Sequence, residues 1–137
     1  FSITGPGGFS TSVTTGSDGT VCVDSLMFGG YTVTETAAPT GYVIDDSSAH
    51  TVTVDNNATC ADTPYVGESI SFTDTPLTDI SANATSEVTG GTQSHIDCVD
   101  SNGNTVATSG SGNSDPANAS ATGLKPGTYT CTILIDP

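Results

Sequence analysis

The sequence could do covalent chemistry through its four cysteines, Cys22, Cys60, Cys98 and Cys131. Paired thiols form disulfides, whereas thiolates grouped with histidines bind zinc. The cysteines show no CxxC spacing, and the two histidines, His50 and His95, are not grouped with them, so zinc has little support. We therefore expect disulfides, in one of three possible pairings, and an oxidising extracellular compartment.

No catalytic constellation is evident around the histidines, because neither has a serine or cysteine nucleophile and an orienting acid in a known elbow pattern. The DSNGN segment at residues 100–104 has the oxygen-rich composition of the start of a calcium loop, but the distal glutamate is absent. An Asn-Gly hairpin explains it more simply, and Asp45-Asp46 reads as an ordinary acidic loop. We predict no enzyme activity, no metal site and no cofactor, and leave calcium binding open.

Charge narrows the possible partners, because one basic residue, Lys125, faces 15 acidic ones and the net charge is −14. Such a field repels phosphate backbones and anionic lipids, so nucleic-acid and membrane-surface partners are not expected. Solubility in an extracellular medium accounts for the acidity, with cation binding or salt adaptation as the alternative. The longest apolar runs are too short to span a bilayer. Because the first residue is Phe1 rather than Met, we expect a processed chain or a fragment.

Alternating Val, Thr, Ile and Tyr residues between turn signals predict an all-β fold built of sandwiches. Strands are predicted near residues 1–4, 9–14, 20–24, 31–36, 50–55 and 69–74, and near 78–85, 94–100, 104–108, 117–122 and 128–135. Asp18-Gly19 and Asn102-Gly103 are predicted to be the centres of two-residue hairpins at exposed tips, because these residue types tolerate a positive φ.

An internal repeat indicates two modules. Residues 26–34 (LMFGGYTVT) match residues 124–132 (LKPGTYTCT) without a gap at Leu, Gly, Tyr and two Thr, although chance remains the alternative for one short match. The Thr75-Pro76-Leu77 segment places the boundary, giving modules 1–76 and 77–137 with two cysteines each. This division favours the pairs Cys22–Cys60 and Cys98–Cys131. We expect Cys98–Cys131 to bridge across a core, and Cys22–Cys60 to tie a strand edge to a loop.

Residues 19–26 (GTVCVDSL) and 31–42 (YTVTETAAPTGY) resemble the prealbumin-like, Cna protein B-type (SpaA-like) domains of Gram-positive surface proteins and pili. The second half, ending in GLKPGTYTC at residues 123–131, resembles a related cysteine-containing module of actinobacterial surface proteins. The resemblance implies tandem immunoglobulin-like sandwiches strung end to end as a stalk or fibre.

The resemblance also bears on Glu35, which matches the acid that catalyses a Lys to Asn isopeptide bond in many family members. In that reaction a buried, protonated carboxyl polarises the amide while a neutral lysine attacks it. The matching lysine is missing, since Lys125 lies in a turn of the other module. The resemblance therefore implies a structural acid and no internal isopeptide, unless residues upstream of Phe1 supply the lysine, with disulfides taking over the cross-linking.

The function predicted from these features is that of a structural subunit or repeat of an extracellular stalk, pilus or filament. The alternative is an adhesin that recognises a host or environmental ligand through acidic loops or exposed Tyr42 and Tyr65. Because Phe1 enters partway through the first module, we also expect a neighbouring copy or adjacent repeat to add a strand at the N-terminal edge.

Overall fold

The computed structural model describes residues 1–85, 94–110 and 115–135, and these residues form an all-β chain. It divides into two compact units, Phe1–Asp74 and Thr75–Pro137. Each unit contains one disulfide, Cys22–Cys60 in the first and Cys98–Cys131 in the second. The predicted fold class, two tandem β-sandwich modules with one disulfide each, is confirmed. The module bounds 1–76 and 77–137 stay a prediction.

The first unit is built on a four-stranded antiparallel sheet. The strands of this unit are β1 (Ser2–Gly5), β2 (Phe9–Ser12), β3 (Gly29–Thr34), β4 (Tyr42–Ile44) and β5 (Ala49–Val54), and β6 (Asp74–Pro76) begins at its last residue. The sheet has the order β2-β1-β3-β5, and β4 pairs with β6 in a separate ribbon. A 3-10 turn at Pro6–Gly8 joins β1 to β2, where Gly7 and Gly8 adopt the positive φ that favours glycine.

The core of the first unit centres on β3, whose alternating residues face inward. Tyr31, Val33 and the following Glu35 are its only buried residues in the described part of the chain. The Tyr31 ring packs edge-on against Phe9, with 5.6 Å between ring centroids. The period-2 alternation of the sequence thus selects the buried face, but it puts a carboxyl group into the core.

The backbone at Gly5 lies so close to the Tyr31 ring that no side chain fits there. Substitution of Gly5 by alanine should therefore destabilise the first unit. A Cβ atom at Gly5 would collide with Cδ1 and Cε1 of the Tyr31 ring, which also packs against the Phe9 ring. We expect Gly5→Ala to lower the free energy of unfolding by about 1–3 kcal/mol, measured by urea unfolding.

The matched control is Gly30→Ala on the neighbouring strand. There a Cβ would meet nothing closer than Cγ2 of Thr51 at 3.9 Å. We expect this variant to be neutral or slightly stabilised, because alanine loses less backbone entropy on folding. Equal losses in the two variants would refute the steric explanation.

Two predicted strands of the first unit did not form. Residues 20–24 contain no strand, and of residues 69–74 only Asp74 belongs to one. Both segments have suitable residue types, but a strand also needs a hydrogen-bonded neighbour, and no strand pairs with residues 20–24 or 69–73 among the described residues. The short strand β4 was not predicted, because a three-residue run is too brief for alternation to reveal.

The second unit contains β7 (Thr78–Ala84), β8 (Ser94–Val99), β9 (Thr105–Thr108), β10 (Ala117–Leu124) and β11 (Thr130–Ile135). A three-stranded sheet has the order β11-β8-β9, and β7 pairs with β10. The predicted Asn102-Gly103 turn is confirmed as the hairpin between β8 and β9, with Gly103 at a φ of 84°. The predicted Asp18-Gly19 hairpin is wrong, because no strands flank the turn that forms there, in which Gly19 has a φ of 77°.

Small side chains fill the core of the second unit, which consists of Ile96, Cys98, Ala107, Ala117 and Ala119. In the antiparallel register Cys131 lies directly opposite Cys98, with 4.0 Å between their Cα atoms. The expectation that this disulfide bridges across a core is therefore wrong, since it links adjacent strands of one sheet. Cys98 is fully buried while Cys131 is exposed, so the bond fastens the edge strand β11 to the core strand β8.

The repeated sequence motif has a structural counterpart in both units. The Tyr31 hydroxyl donates to the Met27 carbonyl at 2.9 Å, and the Tyr129 hydroxyl donates to the Lys125 carbonyl at 2.6 Å. In both cases the tyrosine reaches back four residues across a glycine-containing turn, as in the tyrosine corners of sandwich folds. The two modules therefore share a local turn device as well as a sequence pattern.

Candidate functional site

An open cleft of about 1320 Å³ occupies the first unit. One wall is the inner face of the four-stranded sheet, and the other is formed by residues 12–26 and 55–72, which contain no strand beyond the end of β2. Apolar side chains line both walls, namely Ile3, Val33, Val52 and Val54 on the sheet and Val21, Val23, Ile70 and Phe72 opposite. The sandwich is thus incompletely filled on the side where the two predicted strands did not form.

The Cys22–Cys60 disulfide joins the two segments that form the second wall, with 5.8 Å between its Cα atoms. The expected tie between a strand edge and a loop is wrong in one respect, because neither cysteine lies in a strand. The Asp24 carboxylate reinforces the link by accepting the Cys60 backbone N–H at 3.1 Å. This wall is therefore held together by a covalent bond rather than by a β-ladder.

A pair of carboxyl groups, Glu35 and Asp74, lies in the lining of the cleft. Glu35 follows β3, and Asp74 begins β6. Glu35 is only 5% exposed, and among the described residues its Oε2 and the Asp74 Oδ1 are buried without a hydrogen-bond partner. Burying polar oxygens in this way is costly, so the pair is the least satisfied polar feature of the first unit.

Burial raises the pKa of Glu35 above its ordinary value, and Asp74 raises it further through charge repulsion and a side-chain hydrogen bond. Asp45 adds a smaller repulsion, while the Phe1 amino group acts in the opposite direction. A protonated Glu35 can donate a hydrogen bond to its neighbour or act as a general acid. The single lysine of the sequence, Lys125, belongs to the second unit. The predicted structural role of Glu35 stays a prediction.

The raised pKa makes stability depend on pH in a defined direction. The contribution of Glu35 to the free energy of unfolding is fully present at pH values below the ordinary glutamate pKa of 4.5. It is lost as the pH rises through the raised pKa of the folded state. We expect Glu35→Gln, which cannot ionise, to become more stable relative to the wild type as the pH rises from 4 towards neutrality. Urea unfolding followed through NMR signals of the first unit measures this.

Asp100→Asn supplies a control of opposite sign. Hydrogen bonds from Asn104 lower the pKa of Asp100 from 3.8, so its contribution to stability is present above 3.8 and is lost as the pH falls through the lowered pKa. This variant should therefore lose stability relative to the wild type as the pH rises through that range, in the signals of the second unit. An unchanged pH profile in Glu35→Gln would contradict the assignment of the raised pKa to Glu35.

In the suggested calcium-binding segment, both oxygens of the Asp100 carboxylate accept hydrogen bonds from neighbouring residues of the same turn. The Asp100 Oδ1 accepts the backbone N–H groups of Asn102 and Asn104, both at 2.9 Å, and Oδ2 accepts the Asn104 side-chain amide at 3.0 Å. Within residues 1–85, 94–110 and 115–135 no group of three metal-ligating side chains comes together. The carboxylate thus fastens the hairpin turn.

Sequence reasoning missed a cluster around His95, because it searched for nucleophiles close to histidine along the chain. The strand register brings Ser109 to the ring, with 3.3 Å between Ser109 Oγ and His95 Nδ1, and His95 Nε2 lies 2.8 Å from Asp97 Oδ2. Ser109 Oγ also accepts the Ile96 N–H at 2.9 Å. This hydroxyl therefore ties the end of β9 to β8, and only the paired register could have revealed it.

The exposed tyrosines named for the adhesin alternative are half exposed, at 46% for Tyr42 and 47% for Tyr65. The Tyr65 hydroxyl donates to the Glu68 carbonyl at 3.0 Å, so it is held within its own loop. Recognition of a ligand through these residues stays a prediction.

The first unit combines an antiparallel sheet, a cleft against one face of that sheet and a buried acid that follows one of its inner strands. Residues 1–64 match the family model of the SpaA prealbumin-like fold domain, so the first unit is similar to domains of this family. No curated protein and no solved structure matches the chain. The predicted actinobacterial origin stays a prediction.

Domains of the SpaA family are typical of Gram-positive pilus and surface proteins, and they are structural rather than enzymatic. The match supports a structural role at the cell surface. Among the residues described, no helix has the length and apolar character needed to cross a bilayer.

Proposed function

We propose that this chain is a structural segment of an extracellular stalk, pilus or filament on a Gram-positive cell. The observation that carries the proposal is the tandem arrangement of a SpaA-type domain, matched over residues 1–64, and a second disulfide-closed β-unit. Small β-units placed in series with covalent bonds inside each resist extension and proteolysis, and these are the properties that a stalk needs.

Immunogold electron microscopy of native cells, with antibodies against this chain, tests the proposed location. We expect gold particles along structures that project from the cell surface. Labelling confined to the cytoplasm, or label only on material released into the medium, would contradict the proposal. Cells that lack the gene provide the matched control.

The proposal includes strand addition to the first unit by a neighbouring copy or an adjacent repeat. The N-terminal strand β1 cannot accept it, because β1 already pairs with β2 on one side and β3 on the other. The cleft is better suited, since residues 20–24 and 69–73 present backbone outside any strand along one of its walls. An added apolar strand would pair with this backbone and cover Ile3 and Val52.

Hydrogen exchange tests strand addition by comparing the 137-residue chain with the protein isolated from its native source. We expect the amides of residues 20–24 and 69–73 to exchange slowly only in the native assembly. The amides of β3 and β5, which are paired in either case, serve as the internal control. Equal exchange of the two wall segments in both preparations would exclude strand addition at the cleft.

A further inference from the structure

The lining of the cleft in the first unit combines apolar side chains with carboxyl groups. Five acidic residues belong to it, namely Asp24, Glu35, Asp55, Glu68 and Asp74. In the part of the chain that the structure describes, no lysine, arginine or histidine lines this cleft. The Phe1 amino group lies in the lining, but it donates to the Val13 carbonyl at 2.8 Å. The cleft is therefore complementary to a partner that is both apolar and positively charged.

The strand register places carboxyl groups at both ends of the cleft. Strands β3 and β5 are antiparallel, so the residues that follow them lie at opposite ends of the sheet. Glu35 follows β3, and Asp74 forms a side-chain hydrogen bond with it. Asp55 follows β5, and Glu68 joins it in lining a smaller depression beside that strand. Six residue pairs separate Glu35 from Asp55, so at roughly 3.4 Å per residue they lie about 24 Å apart along the strands.

The two acidic ends differ in burial. Glu35 is only 5% exposed, and its Oε2 and the Asp74 Oδ1 are buried without a hydrogen-bond partner among the described residues. Asp55 and Glu68, at the other end, are exposed. An ammonium or guanidinium group would supply the donors that the buried pair lacks, and a second one would neutralise the exposed pair. Each end is thus suited to one basic side chain, with apolar residues of the sheet between them.

From this arrangement we infer that the strand added to the cleft is basic at both ends, with two lysine or arginine side chains about seven positions apart and apolar residues between them. The inference rests on the strand addition proposed above and names the chemistry of the donor. A copy of this chain cannot supply such a strand, because Lys125 is its single lysine or arginine and its net charge is −14. The donor is therefore a neighbouring segment whose sequence differs from this chain.

NMR titration of the 137-residue chain with short peptides, blocked at both termini, tests the inference. The probe has the sequence KVTVTVTK, and its controls are QVTVTVTQ, EVTVTVTE and KKVTVTVT. We expect KVTVTVTK to bind at the cleft about tenfold more tightly than QVTVTVTQ, because it gains a charge pair at each end. EVTVTVTE should not bind. KKVTVTVT has the same charge at one end only and should bind more weakly than KVTVTVTK. Salt should weaken the binding of KVTVTVTK.

Charge-removing variants of the chain locate the two contacts. Asp55→Asn should weaken the binding of KVTVTVTK about threefold, as for an exposed ion pair, and Glu35→Gln should weaken it at least as much. Neither change should affect the binding of QVTVTVTQ. Asp79→Asn is the matched control, because it removes one charge from the second unit and keeps the side-chain oxygen that accepts the Gly123 N–H. This variant should bind KVTVTVTK like the wild type. Equal affinities of Asp55→Asn, Glu35→Gln and the wild type would overturn the inference.

Hydrogen exchange of residues 20–24 and 69–73 separates this inference from the strand addition on which it rests. If QVTVTVTQ or EVTVTVTE slowed this exchange as much as KVTVTVTK, the basic donor would be wrong while strand addition would stand. Slower exchange in the chain alone, as its concentration rises from micromolar to millimolar, would identify a copy as the donor and would also overturn the inference. So would exchange that none of the peptides slows, and the comparison with the native assembly would then decide strand addition by itself.

Discussion

Replacing both Cys98 and Cys131 with alanine is expected to destabilise the second unit by about 5 kcal/mol while the stability of the first unit stays unchanged. The disulfide closes a loop with a sequence separation of 33, for which the chain-entropy model gives a stabilisation of about 4 kcal/mol. A unit of this size has a total stability of roughly 3–9 kcal/mol. The loss of the buried Cys98 sulfur adds about 1 kcal/mol to the effect, because it leaves a gap in the core.

Removal of the other disulfide is the matched control. The Cys22–Cys60 pair closes a loop with a separation of 38, so the same entropic loss of about 4 kcal/mol is expected in the first unit. Both of its cysteines are exposed, so no core contact is lost. Hydrogen exchange in increasing denaturant reports the two units separately. If the Cys98/Cys131 variant were destabilised less than the Cys22/Cys60 variant, the importance assigned to the buried sulfur would be wrong.

Substitution of Ile96 by alanine should have the second largest effect, a loss of about 3–4 kcal/mol in the second unit. Ile96 is completely buried, and the other buried members of its core among the described residues are Cys98 and three alanines, with the partly buried Ile80 and Val106 packed against them. Small neighbours have few rotamers with which to close the cavity, so the structure around it can relax only a little.

Leu134→Ala is the control for this substitution, because Leu134 lies on the neighbouring strand β11 and is 65% exposed. We expect a change within about 0.5 kcal/mol, measured by hydrogen exchange in denaturant at low protein concentration. Similar losses at the two positions would mean that the core of the second unit lies elsewhere.

Most strands could be predicted from the sequence because apolar and polar residues alternate within them. Residues 31–36 and 94–100 alternate between inward and outward side chains, and both regions form strands whose alternate residues are buried. The two failures, at residues 20–24 and 69–74, have the same local pattern. They failed because pairing is a long-range property, and the sequence of a segment does not reveal whether a neighbouring strand is present.

In the candidate site too, single residues could be predicted from the sequence, but the pairs that they form could not. Glu35 could be singled out from its motif, but its partner Asp74 is 39 positions away in the sequence and meets it only through the fold. Ser109 and His95 likewise meet through strand register. The cysteine pairs could be predicted because the internal repeat divides the chain into halves with two cysteines each.

The central claim, that each unit is closed on itself by its own disulfide so that the tandem resists extension, is tested most directly by pulling single molecules from both ends. Under oxidising conditions the segments between Cys22 and Cys60 and between Cys98 and Cys131 stay locked. Reduction should lengthen the fully extended chain by about 250 Å, at roughly 3.5 Å per residue. No change on reduction would mean that the bonds are absent, and a markedly larger increase would mean that they join the two units to each other. Either result would contradict the account.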